Sequence, residues 1–333
     1  MPGTSARRLV GTLRNRSVWL LTIPVFGLAC PQERRTPPAA DAPAAEVALA
    51  GAAVMIGAGD IAVCGSSGDE ATAAIVDSVL KADSAANVPN AVFTVGDNAY
   101  PSGLTGYDDF FVRCFTPSWG SKSRSIMKWI HPSPGNHDFD VRGGMGYYRY
   151  FGDRAGPAGI GYYSYDLGEW HVIALNSEII LDRDPRLDEG NAQEDWLRKD
   201  LKDHSKPCTL AYFHKPLFSS GTHGPSHEMQ GLWTILYEGG VDLVVNGHEH
   251  HYERFLPQTP AGVPDSVRGI EQIIVGTGGA TLRGLQDPLA ANSIAQIHGY
   301  FGVLKLTLGA GEYRRAFLDT EGRIWDQGGR KCH

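Results

Sequence analysis

Basic residues are scarce in this sequence of 333 residues. Its 30 lysines and arginines are outnumbered by 37 aspartates and glutamates, which gives a formal net charge of -7 at pH 7. A protein that binds nucleic acid regardless of its sequence needs a basic surface to displace the counterions around the phosphates. The composition argues against that class, so no nucleic-acid partner is expected. Any phosphate that the protein handles should be bound by metal ions rather than by many lysines and arginines.

The start of the chain lacks an apolar run long enough to cross a bilayer as a mature helix. Several arginines precede a short apolar segment, residues 18–29, which ends at Cys30. Basic residues before a short apolar core are typical of a signal peptide. We therefore expect residues 1–30 to be a signal peptide, residues 31–51, which are rich in proline and alanine, to be a flexible linker, and residues 52–333 to form the folded domain.

Cys30 could be the lipidated cysteine of a bacterial lipoprotein. Leu28 and Ala29 before it suit such a signal, whereas Gly27 stands where leucine is usual. Lipidation at Cys30 and plain secretion both stay open, and a cytosolic protein with a misleading apolar start is the alternative to export. In the favoured reading the protein is exported to the periplasm or the cell surface, and a lipid anchor would be its only membrane contact.

Cysteines are few, and setting Cys30 aside leaves the even set Cys64, Cys114, Cys208 and Cys332. In an oxidising compartment this set is compatible with two disulfides, for which three pairings exist. We favour Cys64 with Cys114, and Cys208 with Cys332, because the second pair would tie the C-terminus to a core strand. Buried free thiols are the alternative.

Two short apolar segments near the start of the folded domain each end in Gly-Asp. Residues 53–58 lead to Asp60 and residues 91–95 lead to Asp97, with a helical pattern over residues 69–81 between them. A strand, a helix and a parallel strand bring both carboxyl ends to one edge of a sheet. Ligands bind at that edge in open α/β sheets, so the two carboxylates are expected to lie together at a site.

Other apolar segments lead to polar residues of the same kind. They are residues 126–130 before Asn136, residues 209–213 before His214, and residues 241–245 before His248 and His250. From residue 272 onward, strand patterns follow one another without helices, which predicts antiparallel strands added to a second sheet. The sequence therefore predicts a mixed α/β (α+β) fold with two facing mixed β-sheets and helices outside.

The residues after these segments are types that bind metal ions. They are Asp60, Asp97 with Tyr100, Asn136, His214, His248 and His250. Each is weak evidence alone, because Gly-Asp is usually a turn and most histidines are not ligands. Together, carboxylate, imidazole and amide ligands suit iron, zinc or manganese, and a shared carboxylate can hold two cations roughly 3.5 to 4 Å apart. Such a pair can clamp a phosphate.

The motifs and their order resemble those of the calcineurin-like metallophosphoesterases, and within them a bacterial branch similar to the purple acid phosphatases. They are GD at 59–60, VGDNAY at 95–100, PGNHD at 134–138, FH at 213–214 and GHEH at 247–250. The resemblance covers residues 54–255. It implies a four-layer sandwich and a metallophosphoesterase domain over residues 52–333. It also implies a small phosphorylated substrate, and the activity it favours is that of an acid phosphatase that hydrolyses monoesters.

One position departs from many relatives, which carry a histidine two residues after the first aspartate. Ala62 stands there, and Tyr100 can supply the missing ligand. A phenol is a poor ligand for a divalent ion, but Fe(III) favours its deprotonated form. The alternative is that Tyr100 only packs in a turn. The resemblance then implies Fe(III) held by Asp60, Tyr100 and His250, Fe(II), zinc or manganese held by Asn136, His214 and His248, and Asp97 bridging the two.

The same resemblance implies a reaction in which a metal-bound hydroxide attacks phosphorus, so no side-chain nucleophile is required. His137 and His223 are the candidates to bind the phosphate or to protonate the leaving oxygen. A solvated loop histidine is the alternative for His223. Two other functions stay open: a phosphodiesterase or nucleotidase using the same metals, and a non-catalytic lipoprotein that binds metal or phosphate. The motifs do not fix the natural substrate, the second metal or the oligomeric state.

Overall fold

The computed structural model describes residues 49, 51–102, 104–105, 108–139, 143–157, 159–181, 189–204 and 206–333. The predicted signal peptide, Cys30 and most of the predicted linker lie outside the described residues. Within the described ranges, no helix combines the length and the apolar character that a membrane span requires.

The helices and strands of the described residues are as follows. The α-helices are α1 Gly68–Ala85, α2 Ile126–Trp129, α3 Asn136–Phe139, α4 Met145–Phe151, α5 Glu178–Leu181, α6 Glu189–Asp203 and α7 Gln230–Glu238. A π-helix lies at Phe111–Phe115, and 3-10 turns lie at Gly152–Ala155 and His227–Met229. The strands are β1 Ala53–Ala58, β2 Ala62–Val63, β3 Asn90–Val95, β4 Ala99–Tyr100, β5 Leu104–Thr105, β6 Asp108–Asp109, β7 Ile130–Ser133, β8 Tyr163–Leu167, β9 Trp170–Ala174, β10 Cys208–Tyr212, β11 Leu243–Asn246, β12 Tyr252–Phe255, β13 Glu271–Val275, β14 Ser293–Ile297, β15 Gly302–Gly309, β16 Glu312–Asp319 and β17 Ile324–Lys331.

The first sheet has six strands in the order β17-β16-β15-β1-β3-β7. β1, α1 and β3 form the predicted βαβ unit, since β1 and β3 are parallel and Ile56 lies opposite Val92. β7 is parallel to β3, and β15, β16 and β17 are antiparallel additions beside β1. The prediction that the last strands extend a second sheet is therefore wrong for these three. They complete the sheet of β1, whose second edge would otherwise expose unpaired backbone groups.

The second sheet has seven strands in the order β14-β12-β13-β11-β10-β9-β8. β9, β10, β11 and β13 are parallel, whereas β8, β12 and β14 pair in the antiparallel sense. β8 and β9 form a hairpin around residues 168–169. β13, predicted to be antiparallel, runs parallel to β11 and antiparallel to β12.

The segment at residues 126–130 is mostly helix rather than strand. α2 covers Ile126–Trp129, and β7 begins at Ile130. A short apolar run does not distinguish a buried strand from a turn of helix, which explains the difference. β7 carries Pro132, which has no backbone N–H to give to a ladder, and β7 accordingly lies at an edge of its sheet.

The two sheets face each other across a shared core. Val172 of β9 lies in one hydrophobic cluster with Phe93 of β3 in the other sheet. The next residue, Ile173, belongs to a second cluster with Leu197 of α6 and Trp233 of α7. Because successive side chains of a strand point to opposite faces, β9 packs on the first sheet with one face and on helices with the other. The predicted arrangement of two facing mixed sheets flanked by helices is confirmed.

Two disulfides cross-link the folded domain. Cys64, just after β2, is bonded to Cys114 in the π-helix. Cys208, at the start of β10, is bonded to Cys332, just after β17. These are the two pairs favoured from the sequence. The second joins the edge strand of the six-stranded sheet to a central strand of the seven-stranded sheet.

Candidate metal centre

Five parallel strands end at one place, and a polar residue follows each of them after two or three positions. The pairs are β1 with Asp60, β3 with Asp97, β7 with Asn136, β10 with His214 and β11 with His248. Tyr100 enters from the ribbon in which β4 pairs with β2, and His250 comes from the same loop as His248. All seven predicted ligand residues are thus brought together.

Asp60, Tyr100 and His250 form one donor group. The Tyr100 hydroxyl oxygen lies 2.9 Å from Asp60 Oδ1 and 3.3 Å from His250 Nε2. His250 Nε2 is also 3.2 Å from Asp60 Oδ1. His250 Nδ1 donates to the Thr281 carbonyl oxygen at 2.6 Å, so Nε2 presents its lone pair to the group. Asp60, Tyr100 and His250 are all buried.

Asn136, His214 and His248 form a second donor group. His214 Nε2 lies 3.1 Å from Asn136 Oδ1 and 3.2 Å from His248 Nδ1. His214 Nδ1 donates to the Val95 carbonyl oxygen at 2.8 Å, which fixes the ring so that Nε2 faces the group.

Asp97 contacts both groups through a single oxygen. Its Oδ2 is 3.0 Å from the Tyr100 hydroxyl and 3.3 Å from His214 Nε2. The other oxygen, Oδ1, accepts the backbone N–H of His137 at 2.8 Å, and this bond fixes the orientation of the carboxylate. Asp97 therefore occupies the position that a bridging ligand needs.

The donor chemistry fits cations. The phenol of Tyr100 has one proton, yet its oxygen lies within 3.0 Å of a carboxylate oxygen of both Asp60 and Asp97. One proton can satisfy only one of these buried acceptors. Ligand atoms of Asp60, Asp97 and His214 all lie within 4.8 Å of one another. A cation among them would supply the positive charge that this arrangement lacks.

The backbone at the centre adopts left-handed conformations that L-residues rarely take. The φ angles are 58° at Asp60, 50° at Asp97 and 70° at His248. Such angles cost about 1 to 3 kcal/mol each and concentrate at functional sites. Gly135 lies so close to Asp97 that a Cβ on it would be 2.3 Å from Asp97 Oδ1. The glycine of the PGN motif is therefore required to place Asn136 beside Asp97.

Asp97 and His214 form an ion pair in the absence of metal. Burial alone would raise the pKa of the Asp97 carboxyl, but the positive charge of His214 lowers it below its usual range. Burial would lower the pKa of His214, but Asp97 outweighs this effect and raises the pKa to about 10. A cation bound by His214 Nε2 takes the place of that proton, so metal binding is expected to release a proton.

Tyr100 and His248 are shifted toward their neutral forms. Burial, followed by the charges of Asp60 and Asp97, raises the pKa of Tyr100 well above its usual value. Burial and the charge of His214 lower the pKa of His248 to about 2. A neutral imidazole is ready to bind a metal, whereas a phenol in this setting requires a highly charged cation before it loses its proton.

The two predicted catalytic histidines lie at the partly exposed rim of the centre. The ring of His137 lies tilted against Tyr100 with ring centroids 4.5 Å apart, and its Nε2 is 3.9 Å from Asp97 Oδ2. His223 lies over His248 with ring centroids 4.5 Å apart. Their side chains are 34% and 33% exposed, so both can meet a substrate.

Three contributors to the site were missed from the sequence. Asp138 is buried and accepts hydrogen bonds from the backbone N–H of Gly135 and from the Asn98 side chain, so it braces the PGN turn. Burial, followed by the charge of Asp97, raises the pKa of Asp138 to about 7. Glu249 contacts the segment that carries His223, and Arg283 contacts His223 itself. For Glu249, its position between two predicted ligands was the one feature of the sequence that could have indicated a role at the site.

Residues 56–252 match the family described as calcineurin-like phosphoesterase, and the chain belongs to this family. Among relatives, it is 27% identical to human acid phosphatase type 7 in an alignment of 200 positions that covers 54% of this chain and 43% of that protein. It is 26% identical to purple acid phosphatase 15 of Arabidopsis thaliana in an alignment of 198 positions that covers 50% of this chain and 36% of that protein. The matched regions thus span less than half the length of these relatives.

Solved structures share the fold. The purple acid phosphatase PPD1 from yellow lupin (Lupinus luteus) seeds has a TM-score of 0.67 at 20% identity, with 84% of this chain and 54% of that chain covered. GAP50, described as the anchor in the inner membrane complex of Plasmodium, has a TM-score of 0.68 at 14% identity, with 85% and 89% covered. At these identities the likeness concerns the fold alone.

Proposed function

We propose that the protein hydrolyses phosphate esters at a dinuclear metal centre, most closely as an acid phosphatase acting on monoesters. The observation that carries this proposal is the position of Asp97, whose Oδ2 contacts both Tyr100 and His214. Asp60, Tyr100 and His250 would hold one cation, Asn136, His214 and His248 the other, and Asp97 both. Two cations held there would supply Lewis acidity, which lowers the pKa of water and offsets the charge of a phosphoryl group.

Fe(III) is the cation that the Tyr100 group fits best. The buried phenol lies against two carboxylates, and both effects hold its pKa well above its usual value. A divalent ion would leave the phenol protonated and weakly bound, whereas a trivalent ion favours the phenolate. The second group offers one amide and two imidazoles, which suit Fe(II), zinc or manganese.

His137 and His223 are the side chains that we propose meet the substrate. Both lie at the rim, one beside Tyr100 and the other over His248. A histidine there can donate a hydrogen bond to the phosphoryl oxygens or a proton to the leaving oxygen. In this proposal the buried residues would hold the cations, and the two rim histidines would donate the hydrogen bond or the proton.

Replacing His137 by alanine is expected to lower kcat about a hundredfold, in line with the usual effect of a general acid. The metal content should stay unchanged, because the backbone N–H of His137, not its ring, donates to Asp97. The check is kcat for p-nitrophenyl phosphate together with elemental analysis. His298→Ala, which alters an exposed histidine, serves as the control. Wild-type turnover in His137→Ala would remove His137 from the mechanism.

The fold alone does not establish catalysis, since one structural neighbour is described as an anchor. The complete donor set favours an enzyme over a non-catalytic binding lipoprotein. An assay with p-nitrophenyl phosphate and its bis-ester, with and without a chelator, separates the candidates. Preference for the monoester supports a phosphatase, and preference for the bis-ester supports a phosphodiesterase. No chelator-sensitive release from either would refute both.

We further propose that the protein is exported to the periplasm or the cell surface. The two disulfides support this proposal, because such bonds persist in oxidising compartments. The basic and apolar start of the chain supports it independently. Lipidation at Cys30 is the open alternative, and mass spectrometry of the mature N-terminus distinguishes a lipidated Cys30 from a plain cleavage.

A further inference from the structure

Glu249 is a fully buried carboxylate between two residues of the candidate metal centre, His248 and His250. A buried carboxylate is costly unless hydrogen bonds satisfy it. Its Oε1 accepts the backbone N–H groups of His223 and Gly224, at 2.9 and 2.8 Å, and the Ser219 hydroxyl at 3.3 Å. All three donors belong to one segment, residues 219–224. The GHEH loop therefore sends two histidines into the centre and a carboxylate to the neighbouring segment.

The fit between this segment and Glu249 is close. A Cβ at Gly221 would lie 2.1 Å from Glu249 Oε2, so no side chain could stand at that position without displacing the carboxylate. Ser219 also accepts the backbone N–H of Gly221 at 2.8 Å. The close approach of Glu249 thus explains why residue 221 is a glycine.

The ring of His223 has neighbours on three sides. Its Nδ1 lies 3.4 Å from Glu249 Oε2, and its face lies over His248 with an interplanar angle of 28°. Its Nε2 contacts the guanidinium of Arg283, an exposed side chain whose backbone N–H donates to the His250 carbonyl oxygen at 3.0 Å. The Nε2 edge is therefore the part of the ring that faces the rim.

We propose that Glu249 is a positioning residue that holds His223 in place for the reaction. Glu249 does not touch the substrate. It fixes the 219–224 backbone, including the N–H of His223, through Oε1, and its Oε2 lies beside the His223 ring without a hydrogen bond to it. Because Glu249 lies between two ligands, the same loop sets the positions of the metals and of His223. This inference rests on the proposed function and names the group that places its second rim histidine.

A second buried carboxylate provides a matched comparison. Glu253 accepts the backbone N–H of Ser220 at 2.9 Å and the Ser293 hydroxyl at 2.5 Å. It anchors the same segment as Glu249 and is equally buried, but no contact with the His223 ring is found in the described part of the chain. If both residues only support the structure, replacing Glu249 or Glu253 should lower kcat to the same extent. If Glu249 positions His223, its replacement should lower kcat more.

The test compares Glu249→Gln and Glu253→Gln in wild-type and His223→Ala backgrounds. We expect Glu249→Gln to lower kcat for p-nitrophenyl phosphate about tenfold, because a misplaced group loses much of its effect. Glu253→Gln should lower kcat less than twofold. In the His223→Ala background, Glu249→Gln should cause no further loss, since residues that act through one another are not additive. Elemental analysis should give unchanged metal content in every variant.

If the wild-type protein is active, each other kinetic outcome overturns the proposal. Equal losses in Glu249→Gln and Glu253→Gln, or full additivity with His223→Ala, would make Glu249 purely structural. Wild-type turnover in His223→Ala would end the role of His223 while leaving the proposed function intact. If the wild-type protein hydrolyses no ester, the proposed function fails, and crystal structures then decide the positioning claim. Displacement of the His223 ring from His248 in Glu249→Gln alone supports it, and an unmoved ring refutes it.

Discussion

Replacing Asp97 by asparagine is expected to lower kcat/KM for a phosphomonoester by at least about a thousandfold, because several kcal/mol of charge stabilisation are lost with the metals. The backbone N–H of His137 donates to Oδ1 and should keep an oxygen there. The amide nitrogen then takes the place of Oδ2, which is the atom that contacts Tyr100 and His214. An amide nitrogen has no lone pair for a metal, so both donor groups lose their shared ligand.

The measurement pairs steady-state kinetics with elemental analysis of Asp97→Asn. The metal content should fall from two ions per chain. Asp319→Asn is the matched control, since Asp319 is also a buried aspartate but pairs with Arg323 away from the centre. An Asp97→Asn protein that keeps two metals and more than a tenth of its activity would disprove the bridging role.

Replacing Cys332 by serine is expected to lower the free energy of unfolding by about 3 to 5 kcal/mol. The Cys208–Cys332 bond joins residues separated by 124 positions, and the loss of chain entropy on closing so long a loop gives about 5 kcal/mol. β17 is an edge strand paired only with β16 among the described strands, so the bond adds a covalent link at its C-terminal end. The remaining thiol of Cys208 is buried, where a free cysteine packs acceptably.

Equilibrium unfolding in urea checks this expectation. Lys331→Ser is the control, since it introduces serine at the adjacent exposed position and should change the stability by less than about 0.5 kcal/mol. Equal midpoints for Cys332→Ser and the wild-type protein would show that the disulfide does not contribute to stability.

The positions of five candidate ligands could be predicted from the sequence because each follows a strand by two or three residues. Tyr100 and His250 follow Asp97 and His248 within the same short motifs. Parallel strands then bring Asp60 and Asp97 to one edge without any knowledge of the distant chain. Tyr100, which we propose as a ligand, was visible as a candidate in the sequence because it is only three residues from Asp97.

Several features that depend on distant parts of the chain could not be predicted. β15 pairs with β1 although some 250 residues separate them, and the strand pattern alone does not say which sheet a strand joins. Arg283 meets His223 across 60 positions. The role of Glu249 was hidden because its burial becomes evident only once the 219–224 segment is in place.

The visible absorption spectrum of the purified, metal-loaded protein tests the central claim most directly, namely that Tyr100 is a ligand and that its cation is Fe(III). We predict a phenolate-to-iron charge-transfer band in the wild-type protein that is lost in Tyr100→Phe, which removes only the hydroxyl between Asp60 and Asp97. An active wild-type protein without such a band, or an unchanged band in Tyr100→Phe, would contradict the claim.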